Sequence, residues 1–258
     1  TFRWKLLLDK QGTNDYWKIN NSLFIGYAMN NILPARLGEI FRSIYAAKYL
    51  NLPITEVLVT VFLERLCDFI MIILFFVAGL VMTSVYKPVE ITWVAPMLLM
   101  SGGALIAMFM VIFFREYLLR LFEPMIPAVI YDQLNRICVF LSRIDKKTIV
   151  LMIVSTLVIW PIDIFSIFLL LLALNIIVGI DFLLLLQGTS GLVTLAPSAP
   201  GYIGSLQYAF RLVFDIFSAS PSTAIMAATL VQVIYFGAVS IIGGALFFTS
   251  RSIRNQIL

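Results

Sequence analysis

Apolar runs separated by short polar stretches dominate the chain from end to end. A helix needs about 20 apolar residues, at about 1.5 Å rise each, to cross the hydrocarbon core of a bilayer. Residues 55–82, 93–113, 148–174 and 222–248 reach that length. Two other apolar runs, 19–33 and 181–196, fall short and as helices would span only about 22–24 Å. Both run into proline, at Leu33-Pro34 and at Ala196-Pro197 with Pro200 behind it. Short, proline-ended apolar segments in matching positions predict broken or re-entrant helices of the kind found in transporters.

Polar positions refine this outline. Residues 36–50 read as an amphipathic helix. Leu37, Ile40, Phe41, Ile44 and Tyr45 form one face, and Arg36, Glu39 and Arg42 recur at i, i+3 spacing on another. Residues 115–147 carry the most charge and are broken by Pro124 and Pro127. They read as interfacial helices on the cytoplasmic surface, with a plain solvated connector as the alternative.

Two units share landmarks. Pro34-Ala-Arg-Leu-Gly38-Glu-Ile aligns with Pro200-Gly-Tyr-Ile-Gly204-Ser-Leu, Pro53-Ile-Thr55 with Pro221-Ser-Thr223, and Glu64 with Gln232. The units cover about 19–82 and about 181–248. With the short segments re-entering, the three crossings between the units invert the second relative to the first, giving an inverted repeat. Charge favours that topology. Lys and Arg number four in 1–18, three in 34–53, six in 114–147 and two in 249–258, so 15 of 18 fall on one side, which the positive-inside rule makes cytoplasmic.

Composition turns the outline into a class. Of 258 residues, 61% are hydrophobic and 12% charged; mean hydropathy is +1.01. Typical soluble proteins have about 45–50% and about 25%. A soluble domain, a disordered chain, collagen and a disulfide-stapled module are excluded. The expected fold is an all-α integral membrane protein: one polytopic helical bundle over 1–258 with two broken helices. The opening Arg3-Trp4-Lys5-Leu-Leu-Leu reads as the cytoplasmic end of a helix whose earlier part lies before Thr1. Net charge is +4 with no Lys/Arg run, which argues against nucleic acid as a partner. There is no His, and Cys67 and Cys138 lack CxxC spacing, so no metal or cofactor is expected.

Ionisable residues inside spans cost roughly 2.5–3.5 kcal/mol at the bilayer centre, so they should be paired or functional. Glu64, Arg65 and Asp68 share about one face of 55–82, and Asp163 lies mid-span in 148–174. One Arg against three carboxylates needs further cations, and topology offers Arg36 and Arg42. The functional reading is a polar cavity for an anionic lipid headgroup. Arg36, in the first turn after Pro34, would add a guanidinium to a helix N-terminus and form a phosphate-binding corner. Gly201, Gly204 and Ser205 would form a second corner without an Arg, and Gln232 would be the neutral counterpart of Glu64. The alternative is an interhelical salt-bridge network that only holds the fold; both can be true.

No enzyme motif emerges. Gly188-Thr-Ser190-Gly191 is no nucleophile elbow without a His, and no P-loop or Asp-rich metal motif is present.

Asn31-Ile-Leu-Pro34-Ala-Arg36-Leu-Gly38-Glu39-Ile-Phe-Arg42, then Glu64-Arg65-Leu-Cys-Asp68, then Pro200-Gly201-Tyr-Ile-Gly204 resemble the lysylphosphatidylglycerol synthase transmembrane (flippase-like) family over essentially the whole chain. Arg3-Trp4-Lys5-Leu-Leu-Leu resembles the end of that family's second helix, which implies two helices before this point. The resemblance implies a multi-pass protein of a bacterial or archaeal plasma membrane that binds or moves a lipid. That lipid would be an aminoacylated phosphatidylglycerol or a polyprenyl-phosphate-linked one. A separate lipid-modifying enzyme and a further copy of the chain are the protein partners it allows. Two departures stand out: Gln207 where many members have Glu, and Tyr202 where Gly is common. Three functions are therefore in play. One is a flippase or scramblase-like transporter, facilitated or ion-coupled for want of an ATP motif. Another is a membrane enzyme acting on polyprenyl phosphates through Glu39, Glu64 or Asp68. The third is a lipid-binding scaffold.

Overall fold

A computed structural model describes residues 1–12, 15–87, 94–99, 102, 103, 106, 117, 127–195 and 198–249. Among them secondary structure is helical throughout. The elements are α1 (Phe2–Leu8), α2 (Tyr16–Ile32), α3 (Leu37–Leu50), α4 (Ile54–Ser84), α5 (Ala128–Ser142), α6 (Lys146–Ala173), α7 (Ile180–Leu195), α8 (Ser205–Ile216) and α9 (Pro221–Thr249). Two 3-10 turns, Pro34–Arg36 and Pro200–Tyr202, precede α3 and α8.

Local chemistry sets the boundaries. Asp15 caps α2 by accepting the Lys18 N–H at 3.1 Å. Leu33, pressed by the ring of Pro34, is extended at φ −90°, ψ 139° and ends that helix. Asn51 closes α3 in the left-handed region at φ 54°, a conformation Asn tolerates better than most residues. Asp145 caps α6 through the Thr148 N–H.

Helices α4, α6 and α9, with 31, 28 and 29 residues, are long and apolar enough to cross a membrane. They match three of the four crossings expected from the sequence. The fourth, 93–113, lies largely outside the described residues, although 94–99 is helical. Of the expected interfacial segment 115–147, the described part is residue 117 and 127–147, which hold α5 and the start of α6. The basic residues of 250–258 also lie outside.

Two close helix pairings organise the bundle. Helix α4 packs antiparallel on α7, where a Cβ on Gly79 would overlap the Leu185 backbone and one on Gly188 the Phe76 backbone. Helix α9 packs antiparallel on α2, where a Cβ on Gly243 would overlap the Phe24 carbonyl. The larger apolar core joins Phe76, Leu171, Phe182, Leu186, Phe210 and Phe214. A smaller one joins Trp4, Leu8, Ile19, Ala46 and Val57 beneath α1. The two 3-10 turns touch each other between the pairings.

Candidate functional site

The charged face of α4 organises the site. Glu64 and Asp68, one turn apart, point toward α1. Arg3 grips Asp68 with both terminal nitrogens, Nη1 to Oδ1 at 2.6 Å and Nη2 to Oδ2 at 3.0 Å. Its Nε reaches Glu64 Oε1 at 3.3 Å, and Nη1 also donates to Thr156 Oγ1 at 3.1 Å. The neighbouring Trp4 donates to Thr60 Oγ1 at 2.9 Å, which pins α1 against α4. Arg42 of α3 donates to the other Glu64 oxygen at 2.6 Å while its guanidinium lies over the Trp4 ring, 4.2 Å from the centroid. Arg65 turns the other way, to Asp68 Oδ2 at 3.1 Å and Glu39 Oε1 at 3.7 Å. Arg42, Glu64 and Arg3 are only 1%, 4% and 7% exposed. Three guanidiniums thus meet three carboxylates, Glu39, Glu64 and Asp68, in one neutral network that is buried at Arg3, Arg42 and Glu64 and half-buried at Arg65 and Glu39. Such pairing is what allows charge to be buried at all.

This corrects two expectations. Arg42 pairs with Glu64 as topology offered, but the further cation on Glu64 and Asp68 is Arg3, whereas Arg36 stands elsewhere. Arg3 and Arg42 are also not solvated flank charges, so the one-sided tally of 15 basic residues includes two that the network buries. Arg3 was missed because a basic residue beside an apolar run reads as a topology signal. The excess of two carboxylates was the clue that a further Arg had to turn inward.

Beside the network opens a cavity of about 540 Å³, lined among others by Arg3, Arg36, Arg65, Asp68, Asp163 and Gln187. Asp163 does not join the ion pairs; it accepts the Gln187 side-chain N–H at 2.5 Å. Arg36 sits in the left-handed region at φ 57°. It donates to Thr194 Oγ1 at 3.4 Å and lies over the Tyr202 ring, 5.4 Å from the centroid. Among the described residues Arg36 forms no ion pair, and its Nε is buried without a hydrogen-bond partner. Thr194 and Gln187 are seven residues apart on α7, two turns on one side, or about 10 Å along the axis. Arg36 and Asp163 therefore mark two ends of one polar strip. A smaller hollow of about 200 Å³ shares Arg36 and Arg65 and adds Glu39 and Asn31.

The second break is arranged differently. Gln232 donates to the Gly201 carbonyl and accepts the Gln207 side-chain N–H at 2.7 Å. Gln207 in turn accepts the Gly204 N–H at 2.8 Å. Its own side chain thus occupies the N-terminus of α8. Gly204 is exposed and Ser205 half-buried, and neither lines the cavity. Arg42 and Gln232 also stand behind the cavity wall and not in it. Besides Arg3, sequence reasoning missed Thr156, Trp160, Gln187, Thr194 and Tyr202. Trp160 donates to Asp68 at 3.4 Å. All are single polar or aromatic positions in apolar or turn segments, where no spacing distinguishes them. Among the described residues no group of three or more His, Cys, Asp or Glu could hold a metal ion.

The sequence model of the family described as lysylphosphatidylglycerol synthase TM region matches residues 1–243. A UPF0104 membrane protein of Methanocaldococcus jannaschii is 24% identical over 235 residues, covering 88% of this chain and 97% of that protein. No solved structure matches the chain.

Proposed function

The chain belongs to the lysylphosphatidylglycerol synthase TM region family of multi-pass membrane proteins, and from that premise we propose that it moves a lipid with an anionic phospho-headgroup across the membrane through the polar cavity. The observation that carries the proposal is Arg36. Every other arginine of the site is matched by a carboxylate, while Arg36 faces the cavity with none among the described residues. An unmatched guanidinium in a low-dielectric site calls for an anion, and a phosphate accepts its forked donors well. Arg36 contacts the phosphate, with Arg65 at the rim. Arg3, Arg42, Glu39, Glu64 and Asp68 hold the wall in shape. Gly201, Gly204, Ser205 and Gln232 shape the second break.

Alternate access to such a site suits an inverted repeat of 19–82 and 181–248. Three features support that repeat. Pro34–Arg36 and Pro200–Tyr202 are both 3-10 turns whose third residue is left-handed, at φ 57° and φ 59°. The pairs α4 on α7 and α9 on α2 are both antiparallel and seated on glycine. Glu64 with Arg42, and Gln232 with Gln207, each join a long helix to the amphipathic helix before it. Helices α2 and α7, at 17 and 16 residues, reach about 24–26 Å, less than a bilayer core of about 30 Å, which favours re-entry over crossing. The lipid is of the aminoacyl-phosphatidylglycerol or polyprenyl-phosphate-linked type, made by a separate enzyme, in the plasma membrane of a bacterium or archaeon. Movement involves no covalent step.

The test is translocation of headgroup-labelled phosphatidylglycerol in proteoliposomes. A hydrogen bond to a charged group is worth about 1.5–3 kcal/mol, so Arg36→Ala should slow movement about 10- to 100-fold, with Arg36→Lys in between. A folded Arg36→Ala protein that moves lipid at the wild-type rate refutes the proposal.

A further inference from the structure

The carboxylates of the site differ in what holds them. Asp68 accepts from Arg3, Arg65 and Trp160, and Glu64 from Arg3 and Arg42. A proton on either would displace guanidinium bonds. Asp163 is held by an amide. Gln187 presents an N–H to the carboxylate, and after a half-turn of its amide would present a carbonyl oxygen to the carboxylic acid O–H. Asp163 is the site carboxylate whose partner can serve both protonation states.

The surrounding groups leave that choice open. From α1, Arg3 faces the cavity, and from α4, Glu64, Arg65 and Asp68; all four are engaged with one another, Arg42 and Glu39. From α7 come Gln187 and Ser190, while the titratable Asp181, six residues earlier, is bonded to Tyr86. From α9 comes Tyr235, from α2 Tyr27 and from the second proline turn Tyr202. On α6 itself, Lys146 and Lys147 stand four turns away at the helix start. With the network neutral, Arg36 and Asp163 set the charge of the empty cavity. Ionised Asp163 makes it zero; protonated Asp163 makes it +1.

We propose that Asp163 takes up a proton when the cavity loads and gives it up when the cavity empties, so that lipid movement is coupled to pH. This rests on the transport function proposed above. A hydronium ion at the loading face passes its proton to an Asp163 carboxylate oxygen and leaves water, and a water at the other face takes that proton and becomes hydronium; no other bond changes. A protonated Asp163 and a phosphate monoanion on Arg36 leave the loaded cavity neutral, the cheapest state to carry through a low-dielectric bilayer. Loss of the proton makes the loaded cavity −1 and expels the anion.

Two measurements test it on the full chain in phosphatidylcholine nanodiscs and proteoliposomes. Infrared difference spectra on acidification should show a carboxylic-acid carbonyl band that Asp163→Asn abolishes and Asp163→Glu restores. Translocation of labelled phosphatidylglycerol should change with pH, by up to about tenfold per unit on its limiting limb, and the response should flatten in Asp163→Asn but persist in Asp163→Glu. A spectrum that Asp163→Asn leaves unchanged, or a pH response that survives in that variant, overturns the proposal. So does an Asp163→Asn protein that alters the preference between amine-bearing and amine-free phosphatidylglycerol while keeping the pH response; Asp163 would then read a headgroup cation. An Asp163 band that titrates in a wild-type protein moving no lipid at any pH would refute the transport function and the coupling, leaving a proton site.

Discussion

Replacing Arg42 by Met tests whether the buried network is held by its charges or merely tolerates them. Arg42 is 1% exposed, donates to Glu64 Oε2 at 2.6 Å and covers the Trp4 ring. Met fills much of the stem volume but leaves Glu64 with the longer 3.3 Å contact from Arg3 Nε. Removing one partner of a buried pair costs about 3–5 kcal/mol. At about 2–4 °C per kcal/mol for a chain of this size, the melting midpoint should fall by roughly 6–20 °C. The double variant Arg42→Met/Glu64→Leu removes both charges and leaves Arg3 its two-pronged grip on Asp68. It should recover most of the loss, since apolar replacement of a whole buried pair is often neutral. Thermal unfolding by intrinsic fluorescence in one detergent, run on wild type, both single variants and the double, gives the coupling energy. A double variant that melts as low as the two single losses combined refutes the reasoning.

Two further outcomes follow from the packing and the caps. Gly188→Ala would drive a methyl into the backbone of Phe76, so α4 and α7 must part; the cost should be at the upper end of about 1–3 kcal/mol or above, read as a lower melting midpoint, whereas Gly244→Ala on α9, with open space around it, should be neutral. Asp145 is held down to about 2 by the Thr148 side chain and N–H and by Lys10, against an ordinary 3.8; because the folded value is the lower one, its contribution is complete above about pH 4 and fades as pH falls toward 2, which a carboxyl chemical-shift titration would show as a midpoint well below that of Asp145 in an unfolded peptide.

The boundaries of α2, α3, α7 and α9 were legible because proline and apolar run length act locally. Pro34 forces Leu33 out of the helical region wherever the rest of the chain goes. The partners of Glu64 were not legible, because which cation turns inward depends on how α1 lies against α4, and Trp4 on Thr60 decides that at long range. The Asp163–Gln187 pair was hidden for a similar reason. An amide in an apolar run has no periodic signature, and only the proximity of α6 and α7 gives it a partner. Tyr202 shows the reverse case. The resemblance placed glycine there, and φ 59° explains why; this chain keeps the turn with a side chain whose ring receives Arg36.

Backbone seated on glycine changes what the bundle can do mechanically. Helices α4 and α7 touch main chain to side-chain-free main chain at Gly79 and Gly188, and α9 and α2 do so at Gly243. Neither pair can slide a residue without driving a side chain into a backbone, so each behaves as one stiff lever. The cavity wall draws on both levers, with Asp68 and Gln187 on one and Tyr235 on the other. A change in the cavity's width then comes from whole helices moving, the two levers or the α1 and α6 walls beside them. The two proline turns meet between the levers, where the guanidinium of Arg36 lies over the ring of Tyr202, so the group that would hold the phosphate sits at the joint between them.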